Sequence, residues 1–176
     1  MKKVMVFGGS NSLTSINKKL AIYAASHLKN TSIQIIDLND FPLPLFSVDL
    51  ETENGIPKEA YFFDEILQEV DGFIISLAEH NGSYTAAFKN LLDWVSRINV
   101  KVWKDKPMLL LSTSPGSRGA QSVLDNAKVR FPFLGAEIID TFSLPSFSDN
   151  FNNDKISDEF LNEDLIELVN KFEVSL

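Results

Sequence analysis

The sequence predicts an α/β protein in which a five-stranded parallel sheet is covered by helices on both faces. Short apolar or β-branched runs alternate with longer segments whose apolar residues recur at helical spacing. One run, Gly72–Leu77, is continuously apolar in character, as expected for a strand buried on both faces. Because each strand is followed by a helix or a short return, consecutive strands should run in the same direction. We expect a three-layer sandwich with strand order 2-1-3-4-5, formed as one domain by residues 1–176.

The first half of the chain supplies two strands and two helices. Lys3–Phe7 is a short apolar strand, and the helix after it runs roughly from Ser15 to Lys29. Ser32–Leu38 is short and rich in β-branched residues, which favours a strand. Pro57–Val70 has a regular apolar face, and its proline suits the first turn of a helix.

The second half continues the alternation after Gly72–Leu77. Thr85–Ile98 is predicted to be a helix, with Phe88 and Trp94 in its core-facing pattern. The remaining predicted elements are the strand Pro107–Ser112, the helix Gln121–Arg130, the strand Ala136–Asp140 and the closing helix Ser157–Phe172.

Two further features of this sequence leave more than one interpretation. Lys89, Asp93 and Arg97 share a helical stripe, which predicts salt bridges at a surface or an interface. Two connections, Asn39–Ile56 and Thr141–Ile156, are long for this fold class. The first contains the apolar run FPLPLF, which fits the rim of a pocket or a subunit contact as well as a loop packed on its own core.

Composition excludes several classes of site. The net charge of −8 disfavours non-specific binding to nucleic acid or to an anionic membrane. The absence of cysteine excludes disulfides, thiolate catalysis and iron–sulfur clusters, and two histidines, His27 and His80, are too few for a multi-histidine metal site. Only four apolar residues follow Met1-Lys2-Lys3, and no stretch has transmembrane length, so we expect a cytoplasmic protein.

The segment Phe7–Asn17 joins the first strand to the first helix and is rich in Gly, Ser and Asn. Such a loop suits a phosphate, because glycine allows close approach and the first N–H groups of the helix face the anion. The alternative is a tight turn at Gly8-Gly9 with Ser15 as the N-cap. Neither the Walker A motif nor the complete dinucleotide fingerprint is present.

Three polar loops should meet at one edge of the sheet. In strand order 2-1-3-4-5, ligands bind beyond the carboxyl ends of the strands, between strands one and three. Besides Phe7–Asn17, the loops there are 78–84, with the sequence AEHNGSY, and 112–119, with the sequence STSPGSRG. Together they suit a ligand that has a phosphate, a polyol and a flat heteroaromatic ring.

These segments resemble those of the NADPH-dependent FMN reductase family, a flavodoxin-like group that includes azobenzene, quinone and chromate reductases. Residues 9–17 are similar to its GSxRxxSxN loop, and residues 79–97 to its PEYNxS…LKNxxDWxSR segment. Residues 116–119 resemble its GxxG turn, and residues 37–46 its DLxDLPLPLF run. The sequence departs from the pattern at Ser12, where the family often has arginine, and at Ala78 and His80, which replace proline and tyrosine.

The resemblance implies non-covalently bound FMN, with NADPH or NADH as the electron donor and a small-molecule acceptor. Hydride would pass to the flavin and on to a quinone, azo compound, free flavin or similar acceptor by a ping-pong mechanism without an obligatory acid or base residue. It also implies a homodimer or homotetramer. The implied cofactor-binding residues are Ser10, Ser12, Ser15, Ile16 and Asn17 at the phosphate, Glu79, His80, Asn81 and Gly82 at the ring, and Ser112, Ser114, Gly116 and Arg118 at the ring edge or ribityl chain.

Two other functions remain open from the sequence. A flavodoxin-type electron carrier would bind FMN without oxidising a nicotinamide nucleotide, and it would be equally acidic. A hydrolase using Ser10 and His80 lacks the final glycine of its nucleophile motif and an evident aspartate partner. For Arg118, contact with the phosphates of the nicotinamide nucleotide is a further interpretation, as is simple solvation.

Overall fold

The computed structural model describes all residues, 1–176. Five parallel strands form the main sheet, and two small antiparallel hairpins lie outside it. In chain order the elements are β1 (Lys2–Gly8), α1 (Ile16–Ala25), β2 (Thr31–Ile35), α2 (Val48–Asn54), α3 (Lys58–Glu69), β3 (Gly72–Leu77), β4 (Glu79–His80), β5 (Ser83–Tyr84), α4 (Ala86–Ile98), β6 (Lys106–Thr113), α5 (Gln121–Arg130), β7 (Ala136–Leu144), α6 (Phe147–Asn150), β8 (Phe151–Asn152), β9 (Lys155–Ile156) and α7 (Glu159–Ser175).

The strand order is β2-β1-β3-β6-β7, which confirms the predicted order 2-1-3-4-5. Helices α3, α4 and α5 pack on one face of the sheet, and α1 and α7 pack on the other. Alternate residues of β1 enter the two apolar cores, with Met5 and Phe7 on one side and Val4 and Val6 on the other. The predicted three-layer α/β sandwich is therefore confirmed, and it brings the loops after β1, β3 and β6 to one edge.

The C-terminal ends of α1 and β2 differ from the prediction by three or more residues. Helix α1 ends at Ala25 instead of Lys29, because His27 and Leu28 N–H donate to carbonyls only three residues back. Glu173 then accepts the N–H groups of the next two residues and holds them outside the helix. Strand β2 ends at Ile35 instead of Leu38. There the carboxylate of Asp37 accepts the N–H of Asn39 and begins a single 3-10 turn.

The two long connections contain regular structure that the sequence analysis missed. The first holds α2, whose N-cap Ser47 accepts the N–H of Leu50 at 3.1 Å. In the second, β7 continues to Leu144 beyond the predicted end at Asp140, since the register shifts by a bulge at Met108/Leu109 and pairing with β6 resumes. Short helix α6 and the β8–β9 hairpin complete this connection.

The apolar run after β2 is docked on α4. Phe46 N–H donates to Asn90 Oδ1 at 2.8 Å, Asn90 Nδ2 donates to Pro44 O at 3.0 Å, and Trp94 Nε1 donates to Pro44 O at 2.7 Å. Arg97 Nε then pairs with Glu51 at 2.9 Å. We call residues 41–51 the docked segment, since three positions on one side of α4 hold it by hydrogen bonds.

These contacts settle the predictions made for the α4 sequence. Phe88 and Trp94 are fully buried, which confirms that they are core residues. The predicted salt bridge between Lys89 and Asp93 is present at 2.6 Å. The extension of that ladder to Arg97 is wrong, because the guanidinium instead reaches Glu51 in the docked segment.

Candidate functional site

A cleft of about 230 Å³ opens at the carboxyl edge of the sheet, where the loops after β1, β3 and β6 meet. This is the position that the strand order predicts for a ligand. It is lined by Ser10, Ser12, Thr14, Ser15, Ile16, Asn17, Ala78, Glu79, His80, Thr113, Ser114 and Pro115.

The first wall of the cleft is the β1–α1 loop with the start of α1. Ser15 caps the helix, and its Oγ accepts the N–H of Lys18 at 3.1 Å. The N–H groups of Ile16 and Asn17, which precede Lys18, have no acceptor within the protein. Two backbone donors at the positive end of a helix dipole therefore remain available beside four hydroxyl groups.

The close approach of β1 to α1 depends on Gly8. A Cβ atom at this position would lie 2.5 Å from Lys18 N and 2.9 Å from Lys18 Cα. These are backbone atoms, so that a larger residue would push the start of α1 away from the strand. The position of the free N–H groups thus follows from one glycine at the end of β1.

The Asn17 side chain joins the three loops beneath the cleft. Its Oδ1 accepts from Ser76 Oγ at 2.7 Å and from Thr113 N–H at 3.0 Å, and its Nδ2 donates to Thr113 O at 3.1 Å. The side chain is almost entirely buried. Asn17 therefore lies in the predicted site with a free backbone N–H, while both ends of its amide are bound within the protein.

The cleft contains no cationic side chain. Lys18, the basic residue nearest to the free N–H groups in sequence, pairs with Asp37 at 2.5 Å and does not line the cleft. The hydrogen bond from Lys18, together with that from Asn39 N–H, lowers the pKa of Asp37 below its usual value. An anion in the cleft would consequently be held by hydroxyl and N–H groups alone.

The second wall is the β4–β5 hairpin, which is tied to α5 at two points. Glu79 accepts the N–H of Val123 at 2.9 Å and thereby caps a helix that has no side-chain cap of its own. Tyr84 donates its hydroxyl to Asn126 Oδ1 at 3.0 Å. Burial raises the pKa of Tyr84 to about 12.

The predicted residues Asn81 and Gly82 form the tip of this hairpin. Their φ angles are 52° and 75°, as a two-residue turn of type I′ requires. They follow His80 in the chain but do not line the cleft.

The third wall is the loop after β6, where the predicted residues divide into two groups. Ser114 lines the cleft. Ser112 is fully buried and donates its hydroxyl to Gly119 O at 2.8 Å, so it positions the turn beneath the wall. Gly116 and Arg118 lie outside the lining, and Arg118 Nη2 is 3.3 Å from Ser122 Oγ.

The sequence analysis did not select four residues that line the cleft: Thr14, Ala78, Thr113 and Pro115. All four lie inside the three candidate loops and next to a selected residue, so selecting whole loops instead of single residues would have included them. No group of three or more acidic or histidine side chains is placed to hold a metal ion.

A second cleft of about 200 Å³ lies across the β1–α1 loop from the first. Pro42 and Leu43 of the docked segment contribute to it, so this segment is both packed on α4 and part of a cleft rim. The lining residues are Asn11, Leu38, Asn39, Phe41, Pro42, Leu43, Ala87, Asn90 and Leu91.

The sequence matches the family model described as NADPH-dependent FMN reductase over residues 2–149. The chain belongs to this family. The matched range includes all three walls of the cleft and the docked segment, which confirms the resemblance drawn from the sequence motifs.

Curated relatives of this FMN reductase family member include plant and bacterial proteins. The NADPH:quinone oxidoreductase of Arabidopsis thaliana is 35% identical over 124 residues, which cover 68% of this chain and 62% of that protein. The 2-hydroxy-1,4-benzoquinone reductase of a Burkholderia species is 35% identical over 119 residues, covering 66% of this chain and 63% of that protein. The chain thus spans less than two thirds of the length of these curated relatives.

Solved structures share the fold of this family member over nearly its whole length. The flavoenzyme NAD(P)H:(acceptor) oxidoreductase FerB from Paracoccus denitrificans has a TM-score of 0.79 at 24% identity, with coverage of 99% of this chain and 97% of FerB. The apo form of an NADH:FMN oxidoreductase, EMOB, has a TM-score of 0.71 at 20% identity, with coverage of 100% and 90%. At these identities the likeness establishes the flavodoxin-like fold.

Proposed function

We propose that residues 1–176 act as one FMN-binding domain and that the cleft carries FMN for an NAD(P)H-dependent reductase. The acceptor is a quinone, azo compound, free flavin or similar small molecule. The observation that carries the proposal is the pair of unpaired N–H groups at Ile16 and Asn17, placed among hydroxyl groups at the start of α1. Family membership and the names of the quinone reductase relatives support the same activity.

The donor set of the cleft fits a phosphate monoester. Ser10, Ser12, Thr14 and Ser15 offer hydroxyl groups, and the helix start adds two N–H groups with the positive end of its dipole. The one carboxylate in the lining, Glu79, is turned to the N–H of Val123. The phosphate would therefore meet hydrogen-bond donors but no Lys or Arg side chain, so its negative charge would be only partly compensated within the cleft.

The remaining walls would border the flavin ring. Residues 78–80 on one side and 113–115 on the other lie beyond β3 and β6, further along the edge from the helix start. When bound, FMN supplies the transfer of hydride from the nicotinamide and of electrons to the acceptor. The chain's residues bind and orient the reactants in turn at one cleft, and no residue is assigned as a general acid or base.

The first experiment is to purify the protein, record its flavin absorption and measure NADPH and NADH oxidation with a quinone. We expect a yellow protein that oxidises at least one of the two nucleotides. A colourless protein that cannot be reconstituted with FMN would refute the proposal. A yellow protein that oxidises neither nucleotide would instead be an electron carrier.

The variant Ile16→Pro tests the helix-start donors directly. Ile16 is the first residue of α1, where proline is tolerated, and Ser15 has φ −54° and ψ 116°, which a residue before proline can adopt. The variant removes one unpaired N–H and leaves the helix in place. We expect FMN binding to weaken roughly 10- to 100-fold, the worth of a charge-assisted hydrogen bond.

The matched control is Ile16→Ala, which shortens the same side chain but keeps the N–H. Because the Ile16 side chain also lines the cleft, both variants lose its packing, and FMN should bind more tightly to Ile16→Ala than to Ile16→Pro by the worth of the N–H. If Ile16→Pro and Ile16→Ala bind FMN equally well, the phosphate does not lie at the start of α1.

We further propose a homodimer or homotetramer in the cytoplasm. The support for assembly is the exposure of large apolar side chains beside the second cleft, with Leu45 81% and Val48 64% exposed. None of the helices combines the length and apolar character needed to cross a membrane.

Light scattering after gel filtration measures the molar mass of the assembly, and the double variant Leu45→Asp with Val48→Asp should shift this mass towards that of the monomer. An unchanged mass would refute this interface.

A further inference from the structure

The arginine residues of this chain are few, and two of them have no acidic partner. Arginine occurs at positions 97, 118 and 130 of a chain with a net charge of −8. Arg97 is bound to Glu51, whereas neither Arg118 nor Arg130 takes part in an ion pair. Although carboxylates are in excess in this chain, Arg118 and Arg130 have no acidic partner, which distinguishes them from Arg97.

Arg130 ends α5, whereas Arg118 precedes the helix and is separated from it by two residues with left-handed φ angles. Arg118 Nη2 nevertheless contacts Ser122, and positions 122, 126 and 130 follow i, i+4 spacing on one side of the helix, so we call these four positions the stripe. The stripe begins three residues after Pro115, which lines the proposed FMN cleft. It therefore extends from the edge of the cleft to the far end of α5.

The far end of the stripe is a shallow groove of about 420 Å³. It is lined by Asn126, Val129, Arg130 and Phe133, and the Phe133 ring is 67% exposed. Asn126 accepts the hydroxyl of Tyr84, so a residue of this groove is hydrogen-bonded to the β4–β5 hairpin, whose residues Glu79 and His80 line the cleft. A cation and an exposed aromatic ring thus occur together in the groove.

The electrostatics of Arg118 also favour an anion. It lies immediately before the start of α5, where the positive end of the helix dipole disfavours a cation. Glu79, the carboxylate that caps this helix, is bound to the N–H of Val123 and forms no ion pair with Arg118. A bound phosphate would interact favourably with both the guanidinium and the helix start.

We propose that this stripe binds the nicotinamide nucleotide donor through its phosphates. Arg118 binds the pyrophosphate near the cleft, Arg130 binds the 2′-phosphate of NADPH, and Phe133 stacks on the adenine. A ten-residue helix rises about 15 Å, so the two arginines cannot share one phosphate but can meet two separate anionic groups of a dinucleotide. This inference rests on the proposed function, and it predicts a preference for NADPH over NADH.

The test uses the full-length, FMN-loaded protein with NADPH, NADH and 2′,5′-ADP as probes. Calorimetry measures the binding of 2′,5′-ADP, and steady-state kinetics give KM and kcat for the two nucleotides. We expect Arg130→Ala to weaken the binding of 2′,5′-ADP and to raise the KM of NADPH, each roughly tenfold. The KM of NADH should change much less. Arg118→Ala should raise the KM of both nucleotides, and Arg130→Lys should recover part of the loss.

The matched control is Lys128→Ala, which removes the same charge from an exposed position of α5 outside the stripe. It should leave all three measurements unchanged. Equal effects of Arg130→Ala and Lys128→Ala, or no saturable binding of 2′,5′-ADP to the parent protein, would overturn the inference. Either result with retained flavin and NADH oxidation leaves the proposed function intact, whereas a parent protein inert to both nucleotides refutes that function separately.

Discussion

Two neighbouring segments at the carboxyl edge of the sheet differ in whether their backbone polar groups are hydrogen-bonded within the protein. In the docked segment, residues 41–51, the N–H of Phe46 and the carbonyl of Pro44 are bound by Asn90 and Trp94 of α4. The β1–α1 loop is instead followed by two N–H groups, at Ile16 and Asn17, that no protein atom accepts. Both segments are rich in turn-forming residues, so their composition does not separate them.

The difference shows how a binding segment can be distinguished from a structural one. Backbone polar groups that meet side chains of the same protein stabilise the fold, and a ligand would have to displace those side chains. Groups left free at a cleft require a partner from outside. This criterion supports our proposal that the cleft at α1 is the ligand site, while the docked segment is part of the scaffold and of its surface.

The largest loss of stability should follow from removing the contact between the docked segment and α4. Trp94→Ala removes a fully buried indole and its hydrogen bond to Pro44 O, so we expect the free energy of unfolding to fall by about 3–5 kcal/mol. FMN affinity of the folded protein should change by no more than about twofold, because distant sites contribute nearly independently. Chemical denaturation and FMN titration measure the two effects.

The matched variant is Trp94→Phe, which keeps an aromatic ring and removes the indole N–H. Its loss of stability should be smaller, about 1–3 kcal/mol, because the carbonyl of Pro44 loses a donor while most of the packing remains. A large loss of FMN affinity in either variant, measured well below the melting temperature, would show that the docked segment belongs to the binding site.

Asn17→Ala is expected to have the next largest effect, and it should affect both stability and binding. It removes three buried hydrogen bonds and leaves the backbone groups of Thr113 without partners, which costs about 2–3 kcal/mol. FMN binding should weaken as well, because Thr113 and the start of α1 form opposite walls. Denaturation of the FMN-free protein separates the two contributions.

Ser15→Ala provides the comparison for Asn17. It removes the N-cap of α1, at a cost of about 1 kcal/mol, together with one hydroxyl in the cleft. If Asn17→Ala left the FMN-free protein as stable as the parent while abolishing FMN binding, the amide would be a ligand group, and its structural assignment would be wrong.

The sequence predicted the sheet correctly because each strand carries a strong local signal. Gly72–Leu77 is apolar except for Ser76, and its predicted bounds equal those observed. The ends of α1 and β2 were not predictable in this way, since contacts with Glu173 and Asp37 determine them. Helix α2 was missed because none of its residues is buried, so it has no apolar face to produce a periodic signal.

The position of the cleft could be predicted from the sequence, but the hydrogen-bond partners of individual side chains could not. Strand order placed the loops after β1, β3 and β6 at one edge, and the observed cleft lies among them. Ser112 was selected for its hydroxyl, which is in fact buried and bound to Gly119 O. Sequence shows that a hydroxyl is present in a loop, whereas its partner depends on a residue brought close by folding.

The smallest predicted effect concerns Asp37, which lies between the two segments compared above. It pairs with Lys18 of α1 and accepts the N–H of Asn39, whose side chain reaches Asn11 O at 3.1 Å. The hydrogen bond from Lys18 lowers the pKa of Asp37 in the folded protein, so the folded state favours the ionised carboxyl. The resulting stability is present above the unfolded-state pKa of 3.8 and is lost as the pH falls through the lower, folded-state pKa.

Asp37→Asn should therefore lower the melting temperature slightly at pH 7, and the difference from the parent should disappear as the pH falls through the lowered, folded-state pKa of Asp37. Asp164→Asn, at an exposed position of α7 without an ion pair, removes the same charge and controls for the change in net charge. Melting curves from about pH 2 to 7 measure both variants. A difference in melting temperature that stays constant across this range would mean that the charge of Asp37 does not contribute to stability. A fall in FMN affinity that follows the same pH dependence would show that the start of α1 and the docked segment are coupled through this carboxylate.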